Sequence, residues 1–149
     1  MPFTNSVAAA YGLLAMHAMD MHRIQPDSLT PDPAPALAAA GWAVVGYVTG
    51  KDVLFAQGPL RLGDQTTYYG YLARRGGNEF VAVIRGTDGL IEWIEDGRFV
   101  PIPYAPKLVL PSGQGSVSVE QGFWNIYASL AFTTPAGASL GPVAAAIAA

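Results

Sequence analysis

Val81-Ala82-Val83-Ile84-Arg85-Gly86-Thr87-Asp88 is the stretch on which the fold turns. Four apolar residues in succession read as a strand buried on both faces, and the glycine that follows ends it. A hydroxyl residue just past such a strand lies at the carboxyl edge of a sheet, where open α/β folds place their ligands. Thr87 offers a backbone N–H and an Oγ at that point, the donors that acyl transfer needs for a developing negative oxygen. The same residue is also a good N-cap for the short apolar helix spelled by Leu90, Ile91, Trp93 and Ile94. Asp96, just beyond that helix, is placed either to accept the Thr87 hydroxyl proton or to sit solvated at the surface.

Upstream, Tyr68–Ala73 and Phe80–Ile84 flank Arg74-Arg75-Gly76-Gly77-Asn78, a glycine-bearing connection of hairpin length. Trp42–Val48 is a further strand, ended by Thr49-Gly50-Lys51-Asp52. The first strands are therefore expected to be antiparallel neighbours, with Phe80–Ile84 deep in the sheet. Val7–Met21 repeats its apolar residues at a period near 3.6, an amphipathic helix with Asn5 or Ser6 as its cap. Pro26, Pro31, Pro33 and Pro35 mark the loop after it. Downstream, a Pro- and Gly-rich loop is expected from Gly97 to Ser116. A helix follows over Gln121–Phe132, with Phe123, Ile126, Tyr127 and Leu130 on one face, and a second over Pro142–Ala149, opened by proline in its first turn. Both read as crossover helices of a parallel sheet with no strand after them. The expectation is an α/β fold of which this chain is the amino-terminal portion.

Composition narrows the function. The 149 residues are 51% hydrophobic and 13% charged with a net charge of −3, enough for one core. The basic residues cluster only at Arg74-Arg75, so no nucleic-acid surface is spelled out. The absence of cysteine excludes disulfides, thiolate metal sites and a cysteine nucleophile while leaving the compartment open. No His or carboxylate cluster has metal-ligand spacing, and no cofactor is implied. Met1–Ser6 carries no Lys or Arg before the apolar Val7–Met16, and no small-residue cleavage site follows, so a signal peptide is not visible. No segment reaches the ~20 apolar residues of a membrane span.

The segments from Ile84-Arg85-Gly86-Thr87 through Trp93-Ile94-Glu95-Asp96, then Phe99-Val100-Pro101-Ile102-Pro103-Tyr104, and then Val119-Glu120-Gln121-Gly122-Phe123 with Tyr127 resemble the fungal-type (class 3) lipases of the α/β-hydrolase superfamily. The likeness runs roughly from Tyr69 to Leu130. It implies that residues 1–149 are the amino-terminal portion of a single α/β-hydrolase domain, with antiparallel first strands, crossover helices and a remainder beyond Ala149 or on another chain. It implies a lipase or esterase acting on acylglycerols or shorter esters through a serine acyl-enzyme, at a lipid–water interface or in solution, and it is compatible with export. By the same likeness Thr87 is the oxyanion donor, Asp96 orients it, and Leu90, Ile91, Trp93 and Ile94 belong to a lid over the acyl cleft, where their apolar face alone would equally fit a short helix packed on the core. Glu120 stands where many members of the family carry histidine, a departure that leaves the oxyanion reading intact. Arg85 is expected to pair with a carboxylate in a structural role.

Gly137-Ala138-Ser139-Leu140-Gly141 fits the G-x-S-x-G pattern of a nucleophile elbow. An elbow needs a buried strand directly before it, whereas Pro135 interrupts the residues that precede this one. Ser139 is therefore not read as the nucleophile. In α/β-hydrolases the order is serine, acid, histidine, so His17 and His22, far upstream, are helix-surface or core-edge residues. The nucleophile, acid and base are expected beyond Ala149. The rival reading is a non-catalytic α/β binding or scaffolding module that lacks a triad.

Overall fold

A computed structural model of the chain describes residues 4–51, 66–86, 101–104 and 117–143. Helix α1 spans Asn5–Ile24, and Thr4 rather than Asn5 or Ser6 is its cap, the Thr4 side chain accepting from the Val7 N–H at 3.3 Å. A short helix α2 (Pro35–Ala39) leads into strand β1 (Trp42–Lys51). Strands β2 (Thr66–Arg75) and β3 (Glu79–Ile84) form the expected hairpin, its turn made by Gly76 at φ 59°, a conformation glycine adopts without strain. Then come β4 (Pro101–Tyr104), β5 (Val117–Glu120), helix α3 (Gln121–Ser129), β6 (Ala131–Thr133) and β7 (Ser139–Pro142).

The main sheet has the order β3-β2-β1-β6-β7, with every neighbouring pair antiparallel, and β4 and β5 pair antiparallel in a separate two-stranded sheet. The chain is thus a mixed α/β structure built on a five-stranded antiparallel sheet. Successive residues of a strand point to opposite faces, and this sheet uses both. Tyr47 and Tyr68 join Trp42, Tyr71, Ala73 and Val83 under α1 and α2, against Leu14, Ala18, Met21 and Leu37. Their chain neighbours Val48 and Tyr69 point the other way, to Ile126 and Leu130 at α3 and to Val143. Burial of each large apolar side chain stabilises by about 1.5–3 kcal/mol. Three phenols anchor the first face: Tyr71 OH donates to the Leu14 carbonyl at 2.9 Å, Tyr47 OH to the Pro31 carbonyl at 3.0 Å, and Tyr68 packs over Met21.

Several expectations are corrected. Among the described residues strand β3 is not deep in the sheet but at its edge, pairing with β2 alone. Val81 and Val83 turn toward α1, while Phe80 and Ile84 on its other face are 59% and 45% exposed. The helix expected to run to Phe132 ends at Ser129, and Ala131–Thr133 instead pairs with Thr49, Val48 and Tyr47 of β1. The buried hydroxyls of Thr49 and Thr133 meet there at 2.9 Å. Helix α3 therefore leads into a strand antiparallel to β1, and it does not act as a crossover between parallel neighbours. Pro142 closes β7 opposite Ala131, and the backbone turns helical at Val143; the rest of the helix expected over Pro142–Ala149 lies outside the described residues. Within the expected Gly97–Ser116 loop, Pro101–Tyr104 forms β4.

Candidate active site

The carboxyl end of β3 is where the sequence placed the chemistry, and its geometry begins with two glycines. Gly70 in β2 faces Ile84, and a Cβ on Gly70 would collide with the Val83 carbonyl oxygen and lie 2.9 Å from the Val83 carbonyl carbon. Only a residue without a side chain lets the two backbones approach this closely. The pairing then runs one residue past the strand, the Arg85 N–H donating to the Tyr69 carbonyl at 2.8 Å. Gly86 follows, with the Met19 sulfur of α1 3.8 Å from where its Cβ would be.

Arg85 is half-buried in this corner. Its Nε donates to the Tyr68 carbonyl at 2.8 Å and one terminal nitrogen to the Gly86 carbonyl at 3.1 Å, while the guanidinium lies 5.2 Å from the Tyr69 ring centre. Arg85 thus meets backbone carbonyls and an aromatic face, and a planar, delocalised guanidinium suits both kinds of contact. Its positive charge also opposes the upward shift of the Tyr68 phenol. Burial, then the neighbouring phenols of Tyr71 and Tyr47, still hold Tyr68 well above the ordinary range, so it is neutral at physiological pH.

Thr87, Asp96 and the lid residues Leu90, Ile91, Trp93 and Ile94 lie outside the described residues; the described chain reaches Gly86, the residue before the candidate donor. Ser139 is exposed and opens the edge strand β7 after the turn Thr134–Gly137, where the Gly137 N–H donates to the Thr134 carbonyl at 2.8 Å. Its Oγ accepts from the Gly141 N–H at 3.3 Å. It is the first residue of a strand that follows a strand-to-strand turn, whereas a nucleophile elbow puts its serine on a strand-to-helix turn, and no described non-glycine residue has positive φ. His17 and His22 are half-buried on α1, His22 stacked on Tyr68 with ring centres 6.4 Å apart.

Among the described residues no group of three or more His, Asp or Glu could hold a metal ion, and no helix is long and apolar enough to cross a membrane. A cleft of about 480 Å³ opens at the end of α1 beside Asp20, Gln25, Asp32 and Pro33, and it contains no residue of the β3 corner. The Gln25 amide there donates to the Asp32 carboxylate at 2.9 Å and accepts from the Asp32 N–H at 2.8 Å, tying the helix end to the proline-rich loop.

The sequence reading missed Gly70 and the backbone clamp made by Arg85. A glycine between tyrosines in Tyr68-Tyr69-Gly70-Tyr71 was the available signal, since glycine inside a strand often marks close backbone approach.

No family model matches the chain, and no solved structure matches it. Two curated relatives do: Phospholipase A1-II 3 of Oryza sativa subsp. japonica and Phospholipase A1-II 3 of Oryza sativa subsp. indica. Each is 31% identical over 111 residues, which is 74% of this chain. The chain spans 23% of the length of these relatives. Over 74% of its own length, then, it is similar to one segment of a plant phospholipase A1.

Proposed function

We infer that this chain contributes the oxyanion-hole and lid segment of a lipase-type carboxylic ester hydrolase, acting on acyl esters of glycerolipids, phospholipids included. The observation that carries this reading is the 31% identity to phospholipase A1 over 74% of the chain. The corner at Arg85 and Gly86 supports it by carrying the β2 pairing one residue past β3, up to the residue before Gly86. A serine supplied by the remainder of the protein attacks the ester carbonyl carbon, and its proton passes to a histidine. The tetrahedral oxyanion accepts from the Thr87 N–H and Oγ–H, with Asp96 orienting Thr87. The C–O bond then breaks, the alcohol leaves with the proton from histidine, and water releases the acid from the acyl-enzyme. Leu90, Ile91, Trp93 and Ile94 cover the acyl cleft.

The full-length protein tests this. It is expected to release fatty acid from phosphatidylcholine vesicles or triacylglycerol emulsions and to be labelled on one serine by an alkyl phosphonate. Intact lipids and an unlabelled, folded protein would leave the non-catalytic module as the better account.

A further inference from the structure

Cross-strand partners share a face of the sheet, and one row across β1, β2 and β3 runs Val48–Gly70–Ile84. Its two ends differ. Val48 is fully buried, in the cluster that holds Ile126 and Leu130 at α3, while Ile84 is 45% exposed. The next rows on the same face, Gly46–Leu72–Ala82 and Ala43–Arg74–Phe80, lead to the hairpin turn, and there Ala82 is exposed and Phe80 is 59% exposed. An antiparallel sheet with one solvated face turns polar residues toward the water. On β3 that face carries Phe80, Ala82 and Ile84, beside the half-buried Leu72 of β2. Contiguous exposed apolar surface of this kind marks a site of interaction.

The spacing of the layers says what fits there. Strands lie about 4.8 Å apart, so β3, two strands from β1 in the sheet order, is offset from it by about 9.6 Å. Helices packed side by side lie roughly 8–10 Å apart. A helix against β2 and β3 thus fits directly alongside α3, extending the layer that already covers Val48. Gly46, Gly70, Ala43 and Ala82 keep the floor low enough for close approach, and Leu72, Phe80 and Ile84 supply apolar contacts. Arg74, exposed between Ala43 and Phe80, complements an acidic side chain. The chain spans 23% of the length of its curated relatives, which leaves ample sequence for such an element. We propose that Leu72, Phe80, Ala82 and Ile84 form the docking surface for an amphipathic helix from the remainder of the protein, lying beside α3 with its apolar stripe on β2 and β3 and an acidic residue toward Arg74. The surface is independent of the ester-hydrolase reading: it takes a helix whether or not the same remainder supplies a catalytic serine.

The test is photo-crosslinking in the full-length protein. Phe80→p-benzoylphenylalanine, which keeps an aromatic ring at the site, is expected to crosslink within one molecule to a peptide from outside residues 1–149 whose apolar residues recur at helical spacing. Ala82→Lys, which sets a charge in the middle of the interface, is expected to lower Tm by about 5–15 °C. Asn78→Lys, at the exposed tip of the same hairpin, should shift it by less than about 2 °C. If Ala82→Lys does not fold, the crosslinked peptide decides alone. Crosslinks confined to residues 1–149, or joining two copies into a dimer, would name another occupant and overturn the proposal. Label found on phospholipid when vesicles are added, and on nothing without them, would make the face a membrane contact and overturn it as well. No crosslink together with an unchanged Tm for Ala82→Lys would show the face open to water. A protein that gives the expected crosslink and hydrolyses no ester would keep the docking surface and remove the hydrolase reading.

Discussion

Gly70 and Val83 lie so close across the β2–β3 pair that a Cβ on Gly70 would overlap the Val83 carbonyl oxygen. This contact sits one residue from the ladder's last link to Arg85, so the spacing of the two strands there sets where the turn after β3 emerges.

Gly70→Ala is therefore expected to destabilise the protein by about 2–4 kcal/mol, at or above the upper end of ordinary overpacking because the obstructing atom is backbone and cannot rotate away. Urea unfolding of the two proteins checks this, through the shift in midpoint at unchanged slope. Gly12→Ala, where an added Cβ meets nothing within 4 Å, is the contrasting case and should be stabilising by up to about 1 kcal/mol in the helix. Equal midpoints for Gly70→Ala and wild type would show that the strands part at no cost.

Alkaline pH should unfold the protein through its buried tyrosines. Burial pushes the Tyr68 and Tyr71 phenols far above their usual range, with Tyr71 and Tyr47 adding to the shift at Tyr68; burial, then Asp32, raises Tyr47. Below the ordinary phenol pKa of about 10 both states are neutral and no stability is lost. Above it the unfolded chain releases these protons while the folded one retains them, so stability falls by up to about 1.4 kcal/mol per pH unit for each such tyrosine. The urea midpoint should drop from about pH 10 upward, with tyrosinate absorbance appearing together with unfolding. Tyr68→Phe and Tyr71→Phe together should flatten that slope. Tyrosinate absorbance that rises at about pH 10 in a still-folded protein would contradict the burial argument.

Ser139→Ala should leave both ester turnover and fold nearly unchanged, with a stability change within about 0.5 kcal/mol for so exposed a site. Its hydroxyl takes part in the local contact with the Gly141 N–H. Turnover abolished in a normally folded Ser139→Ala protein would mean that the G-x-S-x-G match is the nucleophile after all.

How legible the chain was depends on the range of the signal. Helix α1 and the β2–β3 hairpin were readable because their determinants are local: the helical spacing through Leu14, Ala18 and Met21, and a glycine turn at Gly76 between two β-prone runs. Strand β6 was hidden because the helical spacing of Phe123, Ile126 and Tyr127 runs on to Leu130, and what makes Ala131–Thr133 extended is distant, namely β1 and the Thr49 hydroxyl. The place of β3 was misread for a related reason. Phe80 to Ile84 is apolar at every position, and such a run looks the same whether one face or both are covered. At the candidate site the motif through Gly86 told where the corner lies but not what Arg85 holds, since backbone carbonyls carry no residue-specific signal. Thr87, Asp96 and the four lid positions rest on the sequence resemblance.

The measurement that bears most directly on the account is kcat and KM of Thr87→Val in the full-length protein with a soluble chromogenic ester. Loss of the hydroxyl donor is expected to lower kcat by about 10- to 1,000-fold and to leave KM nearly unchanged, because the interaction forms mainly in the transition state. A folded Thr87→Val protein with wild-type kcat would contradict the oxyanion role, and with it the assignment of catalytic function to the end of β3.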